Sequence, residues 1–132
     1  MIAIVAPQML TRINMQLNEL KDIIVDSLEG LKAVDTKILD VTEIASFTDL
    51  MIIASGTSTR QVKALADKVI EKSKQAGVRP IGVEGEREAE WILVDLGDIV
   101  VHIMNPEIRT FYNLEKLWAR HEKTGGSSAA SH

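Results

Sequence analysis

The chain has 132 residues, 45% of them apolar and 26% charged, the balance of one globular domain with enough apolar mass to bury its own core. Fifteen basic against 19 acidic residues leave a net charge of −4, which argues against tracking a phosphate backbone and leaves a basic protein partner open. No cysteine is present, which excludes disulfides, thiolate metal sites and a thiol nucleophile.

The opening Met1-Ile2-Ala3-Ile4-Val5-Ala6 lacks a basic n-region, and its apolar run stops at Pro7, short of a secretory signal core. No run of about 18 apolar residues occurs, so no membrane span is expected. Residues 1–14 are expected to form a leader, residues 15–119 the domain, and residues 120–132, rich in Gly, Ser and Ala, a flexible tail. Leu17, Leu20, Ile24, Leu28 and Leu31 recur at helical spacing and predict an amphipathic helix closing near Gly30 to Lys32. Thr36 to Val41 reads as a short strand and Thr42 to Phe47 as a polar connection. Leu50-Met51-Ile52-Ile53-Ala54 is continuously apolar, the mark of a strand buried on both faces. Ser58 and Gln61 have capping-box spacing and predict a second helix, with Val62, Leu65, Ala66, Val69 and Ile70 as its buried stripe and Gly77 as its stop. Pro80-Ile81-Gly82-Val83 reads as a third strand and Glu84 to Glu90 as an acidic loop. Trp91 to Leu96 and Ile99 to Met104, separated by Gly97-Asp98, form a β-hairpin. Asn105-Pro106 caps a last helix carrying Ile108, Phe111, Leu114 and Trp118. The order α-β-β-α-β-β-β-α implies an α/β fold, a mixed sheet of about five strands flanked by helices.

Parity sorts the hairpin into two faces. A two-residue turn pairs Leu96 with Ile99, Val94 with Val101 and Ile92 with Ile103, an aliphatic face that must be core. The opposite face carries Trp91, Leu93, Asp95, Val100, His102 and Met104. Such an amphipathic face is either covered by a helix or offered to a partner.

Several motifs bear on enzymatic chemistry. Ser55-Gly56-Thr57-Ser58-Thr59-Arg60 links a strand to a helix N-terminus, where free N–H groups could hold a phosphate, but it lacks the GxxxxGK[ST] pattern and plain helix capping explains it better. Asp95 and His102 lie diagonally across the hairpin and could serve as an acid–base pair or as metal ligands. Zinc needs three or four convergent ligands, and the remaining histidines, His121 and His132, lie at the end of the last helix and in the tail. No GxSxG occurs. Five aromatics without an interleaved basic run do not make a nucleic-acid surface. The run Glu84-Gly85-Glu86-Arg87-Glu88-Ala89-Glu90 just before Trp91 is either a solvated loop or an acidic rim beside an aromatic anchor, with Tyr112 as a second anchor.

Thr48-Asp49-Leu50-Met51-Ile52, Ser55 to Val62, Gly82-Val83-Glu84-Gly85-Glu86, Trp91 to His102 and Phe111-Tyr112-Asn113-Leu114-Glu115-Lys116-Leu117-Trp118 resemble consecutive signatures of the Iojap-like family, whose bacterial members are ribosomal silencing factors. The resemblance covers residues 15 to 119. It implies a fold similar to nucleotidyltransferases without their paired-acid metal motif, and here Asp49 has no following Asp-x-Asp pair. It further implies a cytoplasmic homodimer that is not an enzyme and uses no cofactor or metal. Such a protein would bind the large ribosomal subunit through large-subunit protein fourteen, block joining of the small subunit and lower translation when nutrients are scarce. Neither a membrane nor sequence-specific nucleic acid is implied as a partner. By position, Trp91 and Tyr112 match the family's contact aromatics, with Glu84, Glu86, Asp95, His102 and Leu117 on the same surface. The alternatives are a small nucleotide- or metal-dependent enzyme using the Ser55–Arg60 turn with Asp49, Asp95 or His102, and a dimeric scaffold whose amphipathic face only pairs subunits.

Overall fold

The computed structural model describes residues 17–123. A helix α1 (17–30) leads into β1 (Val34–Asp40), β2 (Leu50–Ser55), α2 (Thr59–Gln75), β3 (Gly82–Glu84), β4 (Trp91–Asp95), β5 (Ile99–Met104), α3 (Pro106–Tyr112) and α4 (Leu114–Lys123). The expected leader, and the expected tail beyond Lys123, lie outside the described residues. The five strands form one mixed sheet in the order β1-β2-β5-β4-β3, with β2 and β5 parallel and the other neighbours antiparallel.

Alternation along the strands builds two cores. On one face Ile52, Ala54, Ile92, Val94, Ile99, Val101 and Ile103 meet Leu20, Ile24 and Leu28 of α1 and Val62, Leu65, Ala66 and Val69 of α2. On the other face Met51, Ile53 and Met104 meet Val41, Ala45 and the side chains of Ile108, Leu114 and Trp118 from α3 and α4. β2 and β5 are therefore covered on both sides, as continuously apolar strands must be. The segment expected as a polar connection, Thr42 to Phe47, is only partly so, because Ala45 is buried in the second core and Ile44 packs against it.

Local chemistry accounts for the ends of α2. Ser58 accepts the Gln61 N–H at 3.0 Å, satisfying a first-turn donor. The Gln61 amide does not complete the reciprocal box. Its oxygen takes the Thr57 N–H at 2.6 Å, while its nitrogen donates to the Leu31 and Lys32 carbonyls and pins α2 to the end of α1. At the other end Gly77 sits at φ +89, and the Val78 and Gly77 N–H groups return to the Ser73 and Lys74 carbonyls, a Schellman stop.

The last helix differs from expectation, because it is two helices. Asn113 adopts a left-handed conformation, φ 50 and ψ 52, with its N–H on the Arg109 carbonyl at 2.8 Å. Asn enters that region more readily than other side-chain-bearing residues, so α3 ends there and α4 leaves at a new angle.

Candidate partner-docking site

The hairpin register places Trp91 opposite Met104, Leu93 opposite His102 and Asp95 opposite Val100, all on the face away from α1 and α2. Neighbouring pairings extend one row across the sheet, Lys37–Ile53–His102–Leu93–Glu84. α3 and α4 cover the Met51, Ile53 and Met104 part of this face. Beside it lies an aromatic group.

Trp91, at the start of β4, is half-buried and packs against the second core. Its indole N–H donates to His102 Nδ1 at 3.0 Å, with ring centroids 5.8 Å apart. Tyr112, from the last turn of α3, lies over Trp91 with centroids 4.9 Å apart and is itself 51% exposed. Phe111 meets Tyr112 edge-on at 5.0 Å and is 79% exposed. His102 is 6% exposed, and this desolvation pushes its imidazole down to about 4 from the usual 6.5. It is therefore neutral near pH 7. Because Nδ1 is the acceptor, the ring proton sits on Nε2.

The other expected residues divide. Glu84 is exposed and shares the open face through its pairing with Leu93. Asp95 shares that face too, but its Oδ1 accepts the Gly97 N–H at 2.9 Å and so shapes the hairpin turn. It makes no hydrogen bond to His102, whose Nδ1 takes the indole instead. Glu86 leans the other way, 3.9 Å from the Lys63 ammonium of α2. Leu117 stands on α4, 57% exposed. His102 was expected among surface contacts, yet its side chain is covered, because burial of β5 on both faces encloses everything that strand carries.

The acidic loop is tied at both ends. The Ala89 N–H returns to the Gly85 carbonyl at 2.9 Å, Ala89 is buried against the first core, and the Glu90 carbonyl accepts the Asn105 N–H. Gly85 has φ +89, and a Cβ there would run into the Trp91 carbonyl oxygen. The loop thus holds Glu84, Glu86, Glu88 and Glu90 in a defined turn directly before Trp91, with all four exposed.

Arg109 escaped the sequence reasoning. It is 6% exposed. Nε and Nη2 donate to the two Glu115 oxygens at 2.8 and 2.9 Å, Nη1 to Ser55 Oγ at 2.8 Å, and Nη2 also to the Asp35 carbonyl at 2.7 Å. This guanidinium lies at the carboxyl ends of the parallel strands β2 and β5. After β2 the chain crosses to one face of the sheet and after β5 to the other, the place where open α/β sheets take ligands. A cavity of about 300 Å³ remains there, lined in part by Val34, Ser55, Arg109 and Glu115. In the neighbouring Ser55–Arg60 turn the N–H groups of Gly56 and Thr57 are taken by the Met104 carbonyl and the Gln61 side chain, and Ser58 caps the Gln61 N–H just beyond, so the turn works as a helix cap. Among the described residues no three His, Asp or Glu side chains gather as metal ligands, and no helix is long and apolar enough to cross a membrane.

Fold and site define a class: a small mixed α/β domain with one sheet face closed by two helices and the other partly open around a group of contacting aromatic rings. The family described as "Ribosomal silencing factor during starvation" matches residues 14–131. The chain is 49% identical over 100 residues to the "Ribosomal silencing factor RsfS" of Haemophilus influenzae, covering 76% of this chain and 98% of that protein. It is similar to a crystal structure of a Chromobacterium violaceum protein, with a TM-score of 0.76 and 45% identity over 77% of this chain and 85% of that one. It is also 36% identical over 100 residues to the mouse protein "Mitochondrial assembly of ribosomal large subunit protein 1", covering 74% of this chain and 44% of that protein. The chain belongs to the ribosomal silencing factor family, which is named for its action on ribosomes and not for an enzymatic reaction.

Proposed function

We propose that this protein represses translation under nutrient limitation by docking on the large ribosomal subunit, through that subunit's basic protein fourteen, so that the small subunit cannot join. The observation that carries the proposal is the partly exposed Trp91–Tyr112 ring pair, with the exposed carboxylates of Glu84, Glu86, Glu88 and Glu90 in the turn directly before Trp91. Rings desolvated at the centre of an interface supply much of its energy, and surrounding charge of one sign speeds encounter with a surface of the other. Family membership supports silencing, and the name of the mouse relative supports the choice of the large subunit. The mechanism is occlusion, with no bond made or broken. Trp91 and Tyr112 are the anchors, Leu117 extends the apolar area, and Glu84, Glu86 and Asp95 supply negative charge. His102 stands behind Trp91. The protein works in the cytoplasm as a homodimer, without cofactor, metal, membrane or sequence-specific nucleic-acid contact.

Light scattering of small and large subunits mixed in Mg²⁺ tests this. The wild type should suppress joining, and Tyr112→Ala should lose about 2 kcal/mol of binding and most of the suppression. Tyr112 is the better probe because its ring is half exposed, whereas Trp91 also packs on the second core and satisfies a buried imidazole. Normal joining in the presence of the wild type would sink the proposal.

A further inference from the structure

Trp91 opens β4 directly after the Gly85–Glu90 turn, with its indole at the rim of the second core. A large ring in that place has more than one way to lie, and what it offers a partner depends on which is fixed. We propose that His102 is a positioning residue for the docking face, its Nδ1 holding the Trp91 indole N–H so that Trp91, with Tyr112 packed against it, is presented at one set angle. The inference rests on the docking role proposed above.

Three observations carry it. His102 is too covered to form much of a contact surface itself, at 6% exposure, so its influence on a partner passes through the ring it touches. The two side chains are diagonal cross-strand neighbours, since Trp91 pairs with Met104 and His102 with Leu93, a separation that a long aromatic side chain spans. The rings meet at 5.8 Å with an interplanar angle of 50°, and the Nε1 to Nδ1 distance is 3.0 Å, so a hydrogen bond rather than parallel stacking orients the indole. Burial keeps the imidazole neutral, as an acceptor at Nδ1 must be. One chemical consequence follows. With its only donor spent inside the fold, Trp91 offers a partner apolar ring and π density, which suits the stems and charged heads of Lys and Arg better than a carbonyl acceptor.

The test uses the whole chain, labelled with nitrogen-15, and purified large ribosomal subunits. In the unaltered protein the Trp91 indole resonance, distinguished from that of Trp118 with Trp118→Phe, should show a nitrogen–nitrogen coupling to His102 across the hydrogen bond. His102→Leu removes the acceptor at similar volume, and His102→Asn returns an acceptor oxygen near the Nδ1 position. The Leu variant should keep its circular dichroism, shift the indole resonance and lose affinity about tenfold, and the Asn variant should recover both. Absence of the coupling would overturn the proposal, as would a Leu variant whose indole resonance moves while its affinity stays. If the Leu variant does not fold, the coupling and the Asn variant decide, with a folded Asn variant that loses affinity counting against. A wild type that shows the coupling but does not bind large subunits overturns the docking role instead, so the two failures are told apart.

Discussion

His102 shows how burial changes what one residue does to the whole chain. An unfolded imidazole takes up a proton near 6.5 and the folded one only near 4. Between those values the unfolded chain binds more protons, so the stabilisation is complete above 6.5 and is lost as the pH falls towards 4. Urea melts at pH 7 and pH 5 should differ by about 2 kcal/mol through this group, and much of that difference should vanish in His102→Asn. Gly85 is a second sensitive position. Gly85→Ala forces a side chain into both a left-handed backbone and the Trp91 carbonyl, and should lower stability by about 2 kcal/mol or more in the same melts. Parity alone places Trp91, Asp95 and His102 on one face, and the sheet register bears this out. Depth is not legible that way. Alternation gives the side a residue points to, whereas the cover over β5 comes from α1 and α2 on one face and α3 and α4 on the other, whose packing is tertiary.

At the scale of elements, the signals that worked were those with local physics behind them. Ser58 caps α2, Asn105 caps α3 by accepting the Ile108 N–H at 2.8 Å, and the Gly97-Asp98 turn sets the hairpin register. Ser58→Ala should cost about 1 kcal/mol, read as a lowered urea midpoint with unchanged slope. The break at Asn113 was hidden because Ile108, Phe111, Leu114 and Trp118 keep helical spacing across it, and a periodicity count does not register one residue in a left-handed conformation. Asn113→Gly should be tolerated there. Asn113→Val should cost about 1–2 kcal/mol and disturb the angle between α3 and α4, which lower affinity for large subunits would reveal.

The whole molecule is locked by a residue no motif announces. Arg109 touches Asp35, Ser55 and Glu115, residues that only the finished fold brings together, and so joins β1, β2, α3 and α4 at a single guanidinium. Arg109→Gln leaves the partly buried Glu115 carboxylate without its cation and should cost about 3 kcal/mol, with faster amide exchange in α3 and α4. The sheet order has a consequence for how the molecule is made. β5 is the middle strand, yet it is the last strand in the chain, and its parallel partner β2 is joined to it through α2, β3 and β4. As the chain emerges from a translating ribosome, α1, β1, β2 and α2 must wait, with Ile52, Ile53 and Leu65 unsheltered, until Met104 has been made. Pairings this far apart in sequence close slowly. A nascent chain stalled before β4 should therefore be open to proteases and to chaperones that bind exposed apolar segments, and protection should arrive in one step once β5 clears the exit tunnel.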